Sequence, residues 1–155
     1  MDDATAARDG VLFVTYGNGH IAKVAPVVKA LEARGVRCWV LALTLGFMQA
    51  RRMGLQPVGY KDFMHLVDAN KALAYGIKLW PENQHPDVDE LESCCYLGVN
   101  YLDWVETHGE EQAAQLYVRG RRRSFLPLRF MGRLIESLNP AVVVITSAPR
   151  SEQAA

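Results

Sequence analysis

Two kinds of apolar pattern alternate along the chain. Residues 11–16 (VLFVTY) form a continuous β-prone run that suits a strand buried on both faces. After Gly17-Asn18-Gly19-His20 the apolar positions fall at Ile21, Val24, Ala25, Val28 and Leu31, the stripe of an amphipathic helix. Gly35 suits its C-cap, and residues 36–43 (VRCWVLAL) read as a second buried strand. Strand, helix and strand in this order predict a βαβ unit with parallel strands.

Further on, residues 46–53 predict a short helix ended by Gly54, and residues 56–60 a short third strand. A helix over 61–74 would turn Phe63, Leu66, Val67 and Ala74 inward. Residues 80–92 read as a loop and a helix start, after which Leu97, Tyr101, Leu102 and Val105 share a helix face. Gly109 breaks that helix and residues 110–118 resume it. Residues 126–138 place Phe130, Leu134, Ile135 and Leu138 on one side, and Asn139-Pro140 closes the helix before a last strand at 141–146 (AVVVIT). The pattern predicts an α/β fold: a Rossmann-like parallel sheet flanked by helices, with a helical insertion around residues 75–138. Residues 1–10, polar and acidic, read as a flexible leader, and residues 11–155 as one domain. The segment after the last strand begins a helix too short to cover a sheet face. It predicts that these 155 residues are the front part of a longer protein, or one half of a two-chain assembly.

Composition adds little: half the residues are hydrophobic and 22% are charged, as in an ordinary globular domain. A formal net charge of zero gives no global attraction to nucleic acid. The charges are unevenly placed, however. Carboxylates but no Lys or Arg occupy residues 82–118, and Arg119, Arg121, Arg122, Arg123, Arg129 and Arg133 follow. That run reads as a solvated face or as partners of the preceding acids, with an acidic membrane surface as a third reading. Cys38 and the adjacent Cys94 and Cys95 lack metal-type spacing, and neighbouring cysteines rarely bridge, which predicts reduced thiols in a cytoplasmic protein. No stretch is long enough to span a bilayer, and the amino terminus is no secretory signal. Trp80 and Trp104 read as packing residues, and His65, His85 and His108 as structural or solvated ones.

Candidate chemistry gathers at two strand ends. Residues 17–22 (GNGHIA) match a relaxed dinucleotide fingerprint, G-x-G-x-x-A. The second strand, though, ends in Leu43-Thr44-Leu45, with no acid to hold a ribose, which disfavours a nicotinamide or flavin enzyme. What remains is His20, placed at or just before the first helical residue, where the positive end of the helix dipole favours neutral imidazole. Neutral imidazole is what a general base needs, and the carboxyl edge of a parallel sheet is the usual ligand crevice. The alternative is a histidine that only caps a helix. Gly17, Asn18 and Gly19 form the turn where unpaired helix N–H groups and the positive end of the dipole would meet a ligand. At the last strand, Thr146, Ser147, Arg150 and Ser151 offer hydroxyls, free N–H groups and a guanidinium to a phosphate or sugar hydroxyl, or else plain capping.

These motifs resemble a known family. The Gly-His turn followed by residues 25–35 (APVVKALEARG), and the closing residues 139–147 (NPAVVVITS), are similar to the amino-terminal half of GT-B-fold glycosyltransferases. Those include the UDP-sugar transferases and the peptidoglycan N-acetylglucosaminyltransferase. The resemblance covers residues 11–60 and 136–155 and leaves 75–135 unmatched. It implies that this half binds a hydroxyl-bearing acceptor and that His20 activates it. A carboxyl-terminal domain, in cis or in trans, would hold the UDP- or other NDP-sugar donor, with no further cofactor. No metal is expected, on the reading that the chain has no carboxylate motif of the Asp-x-Asp type. The chain by itself would then be inactive. Residues 22–29 (AKVAPVVK) also resemble the first helix of UDP-N-acetylglucosamine 2-epimerases, whose preceding loop carries Arg-Pro-Glu where this chain has Asn18-Gly19-His20. A non-catalytic acceptor-binding or anchoring half of a split transferase is the third reading.

Overall fold

The computed structural model describes residues 8–146. Its centre is an all-parallel sheet of β1 (Val11–Tyr16), β2 (Cys38–Leu43), β3 (Pro57–Val58) and β4 (Val142–Ile145), in the order β3-β2-β1-β4. The helices are α1 (Gly17–Glu32), α2 (Gly46–Arg52), α3 (Ala69–Leu79), α4 (Glu90–His108), α5 (Glu110–Gly120) and α6 (Leu128–Leu138). The expected α/β, Rossmann-like arrangement of a parallel sheet flanked by helices is therefore present.

Period-two alternation divides the sheet between two layers. Phe13, Val40 and Ala42 face Ile21, Val24 and Val28 of α1 and Ala50 of α2. Leu12, Val14, Leu41 and Leu43 face the other way, onto a layer containing Tyr60, Leu97, Phe130 and Leu134. Helix α4 is buried almost continuously from Glu92 to Asn100 and forms the centre of that layer. Two glycines let α3 reach it. A Cβ on Gly98 would overlap the Ala72 carbonyl, and one on Gly76 would overlap that of Cys94. Trp104 is buried, while Trp80 packs half-buried against the same cluster.

Several boundaries differ from the sequence expectation, each for a local reason. The helix expected over 61–74 is two pieces, a 3₁₀ helix Tyr60–Leu66 and then α3. Asp68 starts the second by accepting the Lys71 N–H at 3.2 Å. The restart resets the facing, so Ala72 and Gly76 are buried and Ala74 is exposed. Residues 36–37 lie between the turn at 33–35 and β2 rather than in the strand, and the Val36 N–H returns to the Leu31 carbonyl at 3.0 Å. In α6 the buried stripe is Phe130, Met131 and Leu134, and Ile135 lies at its edge, 37% exposed. Order begins ahead of β1: Gly10 O accepts the Ala141 N–H at 2.9 Å. The rest of the expected leader, residues 1–7, lies outside the described residues. Among the described residues strand β4 is one edge of the sheet, with Val142, Val143 and Ile145 exposed. Among the described residues no helix is long and apolar enough to cross a membrane.

Candidate functional site

From β1 the chain steps outward through β2 to β3, then returns to the opposite side of β1 as β4. That reversal opens a crevice beyond the carboxyl ends of β1 and β4, the place where open α/β sheets take their ligands. On one side Gly17, at φ +56°, turns the chain in a single residue, and α1 starts at once. Gly46 lets this turn sit against α2, since even a Cβ there would lie 3.2 Å from Gly17 N. Asn18 and Gly19 continue the first turn, and the space where a Gly19 side chain would stand is open. His20 therefore lies inside the first turn of α1, three residues past Gly17, and not at or before the first helical residue as expected.

On the other side Thr146 follows β4 directly. His20 Nδ1 and Thr146 Oγ1 are 2.7 Å apart, a hydrogen bond that links the two strand ends across the crevice. Thr146 is buried and His20 half-buried. Ser147, Arg150 and Ser151 lie outside the described residues. His65, His85 and His108 are exposed and stand apart from this pair.

An open cleft of about 870 Å³ runs from this edge toward the insertion. Gly17, Gly19, His20 and Thr44 line it, and so do residues 122–126. Tyr16 and Tyr96 line it as well, their hydroxyls 3.4 Å apart. The arginine run thus divides by neighbour. Arg121 pairs with Glu82 at 2.8 Å, and Arg129 and Arg133 with Glu106 at 3.3 and 3.0 Å, as partners of the acidic stretch. Arg122 and Arg123 line the cleft instead. Their run in sequence announces charge but not its direction, which is set by the 3₁₀ turn Arg121–Ser124 and the burial of Phe125.

Glu92 is a second residue that sequence reasoning passes over. Three residues after the α4 cap Asp89, it reads as part of a capping box. Instead its carboxylate turns to the start of the 3₁₀ helix, accepting the Tyr60 N–H at 2.7 Å and the Lys61 N–H at 3.1 Å. Burial pushes its pKa up from 4.5 to about 7, against the opposing pull of those two N–H groups and the Lys61 charge. It lines a cavity of about 30 Å³, room for one water, whose walls Thr44, Tyr96 and Arg122 also face the cleft. Asp87-Val88-Asp89 is an Asp-x-Asp pattern, which corrects the expectation that the chain has none. Asp89 accepts the Leu91 N–H at 2.7 Å and pairs with Lys61 at 3.7 Å, while Asp87 lies by His85. Among the described residues no group of three His, Cys, Asp or Glu side chains is placed to hold a metal.

The chain matches no family model, no curated protein and no solved structure. The geometry of the crevice and the residues that line it carry the functional argument.

Proposed function

We propose that this chain is the acceptor-binding half of a sugar-nucleotide-dependent glycosyltransferase, with His20 as its general base. The observation that supports this reading is the 2.7 Å His20–Thr146 pair, which straddles the topological switch point at the mouth of a cleft sized for a small ligand. In the working tautomer His20 Nδ1–H donates to Thr146 Oγ1, which leaves the Nε2 lone pair free. The acceptor hydroxyl gives its proton to Nε2 as its oxygen bonds to the anomeric carbon of the donor. The bond from that carbon to the nucleotide phosphate breaks, and the phosphate oxygen keeps the electron pair. The donor is held by a second Rossmann-like domain, in cis or in trans. This half places only the nucleophile, so alone it has no turnover.

The test is release of nucleoside diphosphate by the complete enzyme, or by this chain with its donor-binding partner. His20→Ala lowers kcat about 10²–10⁴-fold with the circular dichroism spectrum unchanged. Thr146→Val, which frees the tautomer, lowers kcat by about tenfold. Full turnover in His20→Ala removes the histidine from the reaction. Exchange at C2 of UDP-N-acetylglucosamine without an acceptor establishes the epimerase instead.

A further inference from the structure

We infer that the ligand taken by this cleft carries a phosphate group, gripped by Arg122 and Arg123, which line the cleft together with His20. The inference rests on the reading of the cleft as an acceptor site. Three observations converge on it. The residues that line the cleft include two arginines and no carboxylate, although the chain as a whole carries as many acids as bases. Neither guanidinium has an ion pair, hydrogen bond or ring contact among the described residues, whereas Arg121, Arg129 and Arg133 are all paired. And the turn that presents them is fixed at both ends.

At its start Arg121 pairs with Glu82 and lies over the Tyr117 ring at 5.5 Å. At its end Phe125 is buried, edge-on to Trp104 with centroids 4.9 Å apart. Arg121 itself holds φ +52°, ψ −159°, a backbone conformation that an ordinary side chain adopts only when its surroundings impose it. Strain of this kind, at the start of a turn whose two arginines line a cleft and are unpaired among the described residues, fits a site built for an oxyanion. Guanidinium forks match phosphate oxygens bidentately, and the N–H groups of the α1 first turn, whose residues line the same cleft, favour the same charge. A sugar phosphate, free or lipid-borne, would bring its hydroxyl to His20 with its phosphate on the arginines.

Binding of glucose 1-phosphate to the full chain, followed by calorimetry at low salt, tests this without any transfer step. Arg122→Gln/Arg123→Gln is expected to weaken binding at least about tenfold and to reduce its salt dependence. Arg119→Gln, on the exposed face of α5, leaves it unchanged. Because Arg122 and Arg123 are exposed, and unpaired among the described residues, the double variant keeps the wild-type unfolding midpoint. Flotation with phosphatidylcholine vesicles, with and without phosphatidic acid, reads the lipid-borne source. Arginine-dependent binding in either arm supports the inference; arginine-independent binding, or none in both arms, overturns it. Arginine-dependent binding in a complete enzyme that transfers no sugar would sink the glycosyltransferase reading and leave this one standing.

Discussion

Glu92→Gln should flatten the pH dependence of folding stability. Glu92 is 6% exposed, and burial raises the pKa of its carboxyl from 4.5 to about 7. Below about pH 4.5 it is neutral in both the folded and unfolded chain. Between the two values the unfolded chain has released the proton and the folded chain still holds it, so stability falls as pH rises. Above about pH 7 both are ionised and the loss is complete. At about 1.4 kcal/mol per tenfold, the gap from 4.5 to about 7 amounts to about 3 kcal/mol. Glutamine keeps the shape and one acceptor, so the Tyr60 N–H remains bonded. Its amide cannot serve both N–H groups, and the lost bond costs about 1–3 kcal/mol at every pH. Urea unfolding from about pH 4.5 to about pH 8 measures both terms. The wild-type-minus-variant difference isolates Glu92 from Asp103, whose pKa burial also raises. A difference that does not change across that range refutes the account of Glu92.

Other substitutions test the packing and the thiols. Gly98→Ala drives a methyl into the Ala72 carbonyl and should destabilise the protein by at least about 3 kcal/mol, read as a lower urea midpoint. Asp103→Asn replaces a buried carboxylate that accepts the Phe130 N–H at 2.7 Å, and should lower stability by about 1–3 kcal/mol by weakening the start of α6. Cys95 is buried with its thiol pushed up to about 12, so at about pH 8 iodoacetamide should spare it in the native protein and label it once urea unfolds the chain.

The fold was legible because its signals are local. An apolar run, a glycine turn and a 3.6-residue stripe specify β1 and α1 wherever they occur, and the glycine at φ +56° explains why the helix starts sooner than its apolar stripe. His20 was legible for the same reason, as a histidine in the turn after a buried strand. Arg122 and Arg123 were not, because their direction depends on Phe125 finding Trp104 and Arg121 finding Glu82, contacts between segments far apart in the chain. Glu92 was hidden by a plausible local role. Its sequence position fits a capping box, and only the approach of residues 59–61 gives the carboxylate better partners. The split at Val67–Asp68 was missed because the apolar spacing runs on across it, while the capping carboxylate that restarts the helix has no apolar signature.

Strand β4 meets β1 on one flank, and among the described residues nothing meets the other. Its peptide groups there form a ready template on which any extended segment, including the same strand of a neighbouring molecule, can zip. Concentrated solutions of the chain by itself should therefore scatter light increasingly with time. Val143→Lys, at a position already 40% exposed, should abolish that growth while leaving the monomer folded.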